Sequence, residues 1–369
     1  MSGDSVVRPP FRADHVGSLL RPAPLKEARE KYARGEIDAA ELEAVENAEI
    51  ERVIARQEAV GLKAVTDGEF RRSWWHLDFL WDLEGIEKNE LSGGVQFAGI
   101  VTRGEGVRID GKLGFSGHPM LDHFRFLQAH TRRMPKVSIP APSAIYGRPH
   151  RPPINADVYP DLDSLFDDLG EAYRQAVRAF ADAGCRYLQL DEVFIAMLCD
   201  ERYRRQMIER GDDPDDLLRL YGRLINTAIS DIPPDMTITM HMCRGNFRST
   251  FMGAGGYDAV QEVLFGEIDV DGYFMEYDDE RSGGFEPLRR LPRDKRAVLG
   301  IVTSKRGKLE TRDGLLRRID EAARFADLDQ LCLSCQCGFA STEEGNVLTE
   351  DEQWAKLDRI VEVADEVWG

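Results

Sequence analysis

The stretch Met236-Thr-Ile-Thr-Met-His241-Met-Cys243-Arg-Gly-Asn246 begins with an apolar, β-branched segment that is typical of a buried strand. Because side chains two positions apart in a strand point to the same face, His241 and Cys243 are expected to project together. Imidazole and thiolate are two of the ligands that zinc prefers. One His-x-Cys pair arises often by chance, and a cysteine is often only a small buried apolar residue. The pair therefore predicts a metal site only if other ligands join it.

Two further strand-like segments end on side chains that can bind a metal. Residues 272–276 form an apolar run that ends on the Glu276 carboxylate, and residues 331–338 carry the thiols of Cys335 and Cys337. These two cysteines share parity along their strand, so either could reach a metal, and the glycine that follows Cys337 at the strand end favours Cys337. Parallel α/β folds gather their functional groups at the C-terminal ends of their strands. The candidates are therefore expected to meet.

The composition limits the classes of protein that the chain can belong to. Its 369 residues, 42% of them hydrophobic, can bury one large core or two ordinary ones. A formal net charge of -18 argues against general nucleic-acid binding, which needs a basic surface. Six cysteines in a chain of this length, several near the C-terminus, suit a metal site or reactive thiol in a reducing compartment better than a disulfide scaffold.

The sequence also predicts a location. No apolar run approaches the roughly 18–20 residues that are needed to cross a membrane. Residues 1–10 lack the long apolar core of a signal peptide. We therefore expect a cytoplasmic protein with small-molecule partners, and a homodimer is one assembly that the sequence allows.

Eight strand-like segments alternate with segments of helical pattern along the chain. Alternating βα units imply parallel strands, and eight of them imply a barrel with its site at the C-terminal ends of the strands. The alternative is a doubly wound open sheet, but the first strand is not followed by a glycine-rich dinucleotide loop. The prediction is a (β/α)8 TIM barrel that forms a single domain over residues 1–369. The predicted strands span residues 11–19, 62–69, 136–143, 185–192, 236–243, 272–276, 296–305 and 330–337, and the clearest helical patterns span 23–60, 163–183, 312–326 and 350–368.

Residues 92–117 interrupt this alternation. Short alternating runs are separated there by Arg103-Gly-Glu-Gly106 and Asp110-Gly111, which are turn signals. The pattern predicts a β-hairpin insertion after the second strand, outside the main sheet. A lid over the site and a plain decoration of the sheet edge are equally compatible with it.

Together these stretches resemble the single-barrel relatives of cobalamin-independent methionine synthase, specifically its C-terminal catalytic barrel. The resemblance extends over nearly the whole chain, from near residue 11 to beyond residue 340. The stretches that carry it are Arg12-Ala-Asp-His-Val-Gly-Ser18, Thr66-Asp-Gly-Glu69-Phe, Gln189-Leu-Asp191-Glu, His241-Met-Cys243, Glu276 and Cys337-Gly338.

The resemblance implies a role for each matching residue. It implies that His241, Cys243, Glu276 and Cys337 bind zinc. It also implies that the turn from Val16 to Ser18 and the carboxylate of Glu69 hold the amino-acid end of a thiol such as homocysteine, with Asp191 at the substrate ammonium. His15 adjoins this turn, where a substrate-binding role and a structural role are both open.

Two departures from the family concern the methyl donor. The synthase has an acidic residue six positions after the aspartate of the fourth strand, and Met197 occupies that position here. The synthase also has a proton-donating histidine in the loop after the seventh strand, where this chain has Thr303-Ser304-Lys305. Lys305 is accordingly the candidate proton donor, and Asp191 is the second catalytic candidate. The thiol half of the site is better matched than the half that would bind a folate.

Three functions are compatible with these residues. The first is zinc-dependent transfer of a methyl group from folate or another donor to homocysteine, which forms methionine. The second is another zinc-thiolate alkyl transfer, such as opening of an epoxide by a thiol that is not an amino acid. The third is a barrel in which zinc is only structural. A bound amino-acid thiol requires Glu69 and Asp191, whereas a sulfonate thiol requires an arginine or lysine instead.

Overall fold

The computed structural model describes residues 8–148 and 151–369. Met1–Val7, on which the absence of a signal peptide partly rests, lie outside the described residues. The helices are α1 (Ala23–Ala33), α2 (Ala39–Val60), α3 (Leu77–Leu80), α4 (Pro119–His130), α5 (Ser143–Tyr146), α6 (Leu162–Asp182), α7 (Phe194–Met197), α8 (Glu201–Glu209), α9 (Pro214–Ala228), α10 (Gln261–Gly266), α11 (Arg312–Ala322) and α12 (Glu350–Trp368). The strands are β1 (Ala64–Val65), β2 (Glu84–Glu90), β3 (Gln96–Phe97), β4 (Ile100–Val101), β5 (Glu105–Gly114), β6 (Met134–Pro135), β7 (Val137–Pro140), β8 (Tyr187–Glu192), β9 (Thr237–Met242), β10 (Gly272–Glu276), β11 (Arg296–Val302) and β12 (Leu331–Cys335).

Parallel strands form the centre of the molecule. A six-stranded sheet has the order β12-β11-β10-β9-β8-β7, so strands that follow one another along the chain are neighbours in the sheet. A second parallel sheet pairs β1 with β6. The two sheets meet where β6 leads into β7, since the amide of Lys136 donates to the carbonyl of Val65 at 2.9 Å. The predicted α/β class with parallel strands is confirmed.

The first predicted strand, residues 11–19, is mostly irregular. It forms one parallel bridge, between Ala13 and Leu333 of β12. On its other side, the amide of Leu19 donates to the carbonyl of Gly68 at 3.0 Å. The side chain of Asp14 accepts from the amides of Phe11 and His15 at 3.0 and 2.8 Å. These two amides therefore bond to a carboxylate instead of to the carbonyls of a neighbouring strand.

Local signals explain the helix boundaries. The helical pattern over residues 23–60 is divided between α1 and α2, because Gly35 has a left-handed φ of 71° and Asp38 starts α2 with a capping box to Glu41. Gly61, with a φ of 99°, ends α2 as predicted. None of the helices among the described residues combines the length and apolar character that crossing a bilayer requires.

An antiparallel insertion follows β1 and α3, as the turn signals predict. β2 pairs with β5, and the short strands β3 and β4 form a second hairpin within it. The insertion thus begins at Glu84, before the predicted start at residue 92. The pattern of apolar residues does not indicate β2, because its residues, Glu-Gly-Ile-Glu-Lys-Asn-Glu, are nearly all polar and only Ile86 is buried.

A buried ion pair joins the irregular first segment to the sheets. Nζ of Lys136 lies 3.2 Å from Oδ1 of Asp14, and both side chains are 0% exposed. The ammonium also donates to the carbonyl of His15 at 2.5 Å and lies over the ring of Phe274, 4.0 Å from its centre. Oδ2 of Asp14 accepts from the hydroxyl of Tyr187 in β8 at 2.8 Å. One carboxylate thus ties three segments together.

Replacing Lys136 by methionine should therefore destabilise the fold. The substitution keeps the volume but leaves the Asp14 carboxylate buried without its cation, which typically costs about 3–5 kcal/mol. Urea unfolding followed by circular dichroism measures the loss. Lys112→Met is the control, because its ion pair with Asp168 is 65% exposed on the lysine side and should be worth less than about 1 kcal/mol. Equal losses in the two variants would contradict the assigned role of the buried pair.

Candidate functional site

The ends of β9 and β12 bring three metal-binding side chains together. His241 lies in β9, Cys243 directly follows it, and Cys337 lies just beyond β12. Their ligand atoms are all within 4.8 Å of one another, and the two sulfurs are 3.5 Å apart. A disulfide would need about 2.05 Å. Two sulfurs at about 2.3 Å from a tetrahedral zinc lie roughly 3.8 Å apart, so the donor set and its spacing fit zinc.

His241 is fixed by partners on both sides of its ring. Its Nε2 lies 3.3 Å from the carbonyl of Gln336, and its Nδ1 lies 3.5 Å from Oδ1 of Asp191. Burial alone would lower the pKa of His241, but the carboxylate of Asp191 and the sulfur of Cys337 outweigh it and raise the pKa to about 10. In the metal-free protein the imidazole is therefore a cation between an anionic sulfur and a carboxylate.

The two cysteines of this cluster differ in their protonation. The hydrogen bond from Cys243 lowers the pKa of Cys337 well below its usual value, although burial acts in the opposite direction, and His241 adds to the lowering. The same hydrogen bond, together with burial, raises the pKa of Cys243. One thiol and one thiolate thus share a proton, which a bound metal ion would replace.

Glu276, the fourth predicted ligand, lies outside this three-residue group. Its Oε1 accepts from the amide of Arg244 and from Nε2 of Gln336, both at 3.2 Å. Its Oε2 accepts from Nη1 of Arg281 at 3.0 Å. Burial would raise the pKa of Glu276, but Lys305, Arg281 and Arg244 together lower it to about 2. The carboxylate is therefore ionised, and three cations stabilise its charge.

Lys305 belongs to the shell of charges around Glu276. Its side chain is buried, with Nζ 3.7 Å from Oδ2 of Asp278. It is not among the residues that line the cleft. The structure thus places the predicted proton donor behind a candidate metal ligand.

The predicted amino-acid subsite lies in the same cleft as the cysteines. Val16, Ser18, Glu69 and Asp191 all line this cleft with His241, Cys243 and Cys337. Oε1 of Glu69 accepts from the hydroxyl of Ser138 at 2.8 Å. Its Oε2 is buried and accepts no hydrogen bond from the described residues, and Nη1 of Arg72 lies 3.6 Å from Oε1. An unpaired carboxylate oxygen of this kind suits the ammonium of an amino acid.

Close backbone approaches shape this subsite. A Cβ on Gly338 would lie 1.9 Å from Oγ of Ser18, so the two segments can meet only because residue 338 is glycine. Glu69 itself has a left-handed φ of 60°, a conformation that costs a non-glycine residue about 1–2 kcal/mol. The amide of Glu69 donates to Asp67 at 2.9 Å, which helps to hold the turn.

His15 is not among the residues that line the cleft. It is buried beside β1, with Nε2 3.3 Å from the carbonyl of Ala64. Burial, with a smaller effect of Lys136, lowers its pKa to about 4, so the ring is neutral. These contacts favour a structural role for His15 over a role in substrate binding.

Glu192, next to Asp191, points away from the metal-binding residues. Its carboxylate accepts from the hydroxyl of Ser143 at 2.5 Å and from the amides of Phe194 and Ile195 at 2.6 and 2.8 Å. The carboxylate thus binds the first amides of α7. Burial raises its pKa to about 7 despite these hydrogen bonds.

The remaining wall of the cleft is aromatic. Trp74, Trp75 and His76 line it, with His76 stacked on Trp75 at a ring distance of 4.3 Å. Phe97, from the β3–β4 hairpin, packs against Phe247 at 5.5 Å, so the insertion contributes directly to the site. This finding favours the lid over the edge decoration.

Sequence reasoning missed two contributors to the site. Arg148 lines the cleft from the loop that follows α5, and Arg281 holds Glu276. The sequence indicates Arg148 only by its position, shortly after the end of the third predicted strand. Arg281 carried no signal, because its partner is defined by the fold of the intervening residues.

Comparisons with known proteins identify the family of this chain. The family model for the catalytic domain of cobalamin-independent synthase matches residues 11–366. An uncharacterized protein of Bacillus subtilis, YxjH, is 50% identical over 361 residues, which are 97% of this chain and 95% of that protein. A structure from Listeria monocytogenes, provisionally described as a vitamin-B12 independent methionine synthase, has a TM-score of 0.79 and 39% identity over 98% of this chain and 99% of its own. A methionine synthase of Pyrococcus abyssi is 25% identical over 297 residues, 80% of this chain and 76% of that protein.

The raised pKa of Glu192 predicts a pH-dependent effect of Glu192→Gln. The carboxyl has a pKa near 4.5 when unfolded and about 7 when folded, so the native state loses stability as the pH rises from about 4.5 to 7. Glutamine does not titrate. The stability of the variant relative to the wild type should therefore increase across this range, by up to about 3 kcal/mol at 1.4 kcal/mol per unit. Urea unfolding at several pH values measures it.

Glu171→Gln is the control for this prediction. Its hydrogen bond to Arg174 lowers the pKa of Glu171 to about 2, so its contribution is lost only as the pH falls from about 4.5 towards 2. A flat difference for Glu192→Gln between pH 5 and 8 would refute a buried, titrating carboxyl at this position.

Proposed function

This chain belongs to the family of cobalamin-independent synthase catalytic domains, and we propose that it is a zinc-dependent methyltransferase that methylates the thiol of homocysteine to form methionine. The family supports a methyltransferase, and its members are zinc-dependent in general. The observation that carries the proposal is the meeting of a His-Cys-Cys cluster and the carboxylates of Glu69 and Asp191 in one cleft. A soft metal site beside anionic groups suits a ligand that carries both a thiol and an ammonium.

We further propose that the two parallel sheets are parts of one closed (β/α)8 barrel in a single domain. The segment around Ala13 supports closure, because it bridges to Leu333 of β12 on one side. On its other side the amide of Leu19 donates to the carbonyl of Gly68, just after β1. Residues 11–19 thus take the place of the first of eight strands, with the hairpins of β2–β5 as an insertion.

His241, Cys243 and Cys337 would hold the zinc. When bound there, zinc supplies the positive charge that keeps a neighbouring thiol deprotonated and therefore nucleophilic at neutral pH. One ring nitrogen of His241 would bind the metal, and the partner at the other nitrogen, Asp191 at Nδ1 or Gln336 at Nε2, would orient the ring.

Glu276 is the proposed fourth ligand. Its contacts with Arg281, Arg244 and Gln336 give the carboxylate a second, fully hydrogen-bonded position outside the cluster. In this position the Glu276 charge stays paired with cations, so the carboxylate would not be buried unpaired when it is not a metal ligand. Arg281, whose Nη1 donates to Oε2 of Glu276 at 3.0 Å, stabilises the carboxylate in this position.

The amino-acid end of homocysteine is assigned to the part of the cleft that Glu69, Asp191 and the turn from Val16 to Ser18 line. The unpaired Oε2 of Glu69 and the carboxylate of Asp191 would bind the ammonium, and the turn from Val16 to Ser18 would bind the carboxylate. Oε1 of Glu69 is already held by Ser138, which fixes the direction of the free oxygen. With its amino-acid end held in this way, homocysteine would direct its thiol towards Cys243 and Cys337.

In the proposed reaction, the homocysteine sulfur forms a bond to the methyl carbon as the bond from that carbon to the donor breaks. The electron pair of the broken bond leaves with the donor, which is folate or another methyl donor. A donor nitrogen that leaves as an amine must take up a proton. Lys305, the candidate from the sequence, lies outside the residues that line the cleft, and its contacts support a role in keeping Glu276 ionised instead.

Alkyl transfer to a sulfonate thiol is the second candidate, and one observation favours it. Such a thiol requires a cationic partner, and Arg148 lines the cleft. The free oxygen of Glu69 argues against it, because this oxygen would repel a sulfonate.

Zinc content and X-ray absorption at the zinc edge test the proposed function. We expect one zinc per chain and one additional sulfur neighbour after L-homocysteine is added. Cys243→Ser should lose zinc and methyl transfer together, because it removes one of the three clustered ligands. Cys332→Ser is the matched control, since Cys332 is buried in β12 away from the cluster and should leave zinc in place. Full zinc and activity in Cys243→Ser would rule out the assigned ligands.

Glu69→Gln tests the amino-acid subsite. Loss of the negative charge should raise the KM for homocysteine about tenfold or more, because a buried charge-assisted hydrogen bond to the ammonium contributes about 1.5–3 kcal/mol. The zinc content should not change. Glu49→Gln, a buried glutamate of α2 that pairs with Arg52, is the control and should leave the KM unaltered. An unchanged KM in Glu69→Gln would remove the residue from the substrate site.

A further inference from the structure

Arg148 carries a buried positive charge into the cleft without an anion to balance it. The residue is only 6% exposed, yet it lines the same cleft as Glu69 and Cys243. Its Nη2 donates a long hydrogen bond of 3.4 Å to the carbonyl of Glu105, and its Nη1 has no hydrogen-bond partner among the described residues. Burial, with no opposing carboxylate, lowers the pKa of Arg148 to about 10.

Other buried arginines of the described chain are better satisfied. Arg281 pairs with Glu276 and with Asp278, each at 3.0 Å. Arg21 donates to four backbone carbonyls at 2.7 to 3.1 Å. A buried charge without such partners costs several kcal/mol. Arg148 is therefore a destabilising residue in the free protein, which is typical of a group that awaits a ligand.

A second unpaired polar group lies beside Arg148. Nδ1 of His76 is buried and has no hydrogen-bond partner among the described residues. Burial lowers the pKa of His76 far below its usual value, and the charge of Arg148 lowers it further, so the ring is neutral. The imidazole stacks on Trp75, which fixes its plane. A neutral imidazole and a guanidinium together can bind an oxyanion through charge and directed hydrogen bonds.

The position of these groups separates them from the amino-acid subsite. The carboxylates of Glu69 and Asp191 make one wall anionic, so that wall disfavours a further anion. Arg148 and His76 instead belong to the aromatic wall with Trp75, where the Glu105 carboxylate is already held by Nε1 of Trp74 at 2.8 Å and by Arg103 at 3.5 Å. The cleft thus offers one polar subsite of each sign.

We propose that Arg148 and His76 form an oxyanion subsite, and that the alkyl donor is a small molecule with a carboxylate or similar anionic group bound there. The inference rests on the proposed function, because it assigns the second substrate of the same transfer. The homocysteine sulfur bonds to the alkyl carbon while the bond from that carbon to the donor breaks. The electron pair and the oxyanion both stay with the departing donor, which Arg148 still holds.

Benzoate and benzamide provide a matched pair of probes, because they share shape and differ in charge. Quenching of tryptophan fluorescence reports binding, since Trp74 and Trp75 line the cleft. The zinc-loaded wild type should bind benzoate at least tenfold more tightly than benzamide. Arg148→Gln should lose this preference, and Arg148→Lys should keep part of it, because lysine retains the charge but not the planar fork. Equal binding of the two probes to the wild type would overturn the proposal.

Two controls keep the result specific. Arg108→Gln removes the same charge from β5 at a side chain that is 53% exposed and paired with Asp110, and it should leave benzoate binding unchanged. The melting temperature of Arg148→Gln should equal or exceed that of the wild type, because the variant removes an uncompensated charge. A marked decrease would assign Arg148 a structural role instead.

Competition with L-homocysteine separates the donor subsite from the thiol subsite. If Arg148 binds the donor, benzoate and homocysteine should bind at the same time. Mutual exclusion would assign Arg148 to the thiol and overturn the proposal. Failure of the proposed function has a different signature, since the zinc edge would then gain no sulfur with homocysteine while the preference for benzoate could persist.

Discussion

The ion pair between Asp14 and Lys136 is the contact on which the geometry of the cleft depends. Asp14 lies two residues before the turn that starts at Val16, and Lys136 lies two residues before Ser138, which positions Glu69. One buried pair therefore fixes both sides of the amino-acid subsite relative to each other. Because both side chains are fully buried, the pair is less screened by salt and holds the two segments in one arrangement.

The cleft built on this frame has its charges separated by region. Glu69 and Asp191 lie at one wall, the His-Cys-Cys cluster lies at the strand ends, and Arg148 adds a positive charge to the aromatic wall, where Trp74 holds the carboxylate of Glu105. The charge of Glu276 is balanced by Arg281, Arg244 and Lys305. Among the described residues, Glu69 forms an ion pair with Arg72 at 3.6 Å but keeps Oε2 without a hydrogen bond, and Arg148 keeps Nη1 without one. The unpaired groups, rather than the balanced ones, therefore define what the cleft can bind.

The sequence predicts the parallel strands and the proximity of His241 and Cys243 well, because both follow from short-range periodicity. Apolar runs place the strands β7–β12, and parity along a strand brings His241 and Cys243 to one face. Periodicity does not report which charges meet across the fold. The pairing of Arg281 with Glu276, the isolation of Arg148 and the polar strand β2 depend on tertiary packing, so no local pattern indicates them.

The hairpin insertion contributes residues to the cleft that do not come from the parallel strands. The strands supply the metal-binding residues, whereas Phe97 and the carbonyl of Glu105 come from the insertion. Arg148 lies between these two parts, on a loop after α5. Substitutions in the insertion and in this loop therefore change the cleft without changing the His-Cys-Cys cluster. Met197 in α7 and Lys305 after β11 lie outside both parts, so they are separate departures from the synthase.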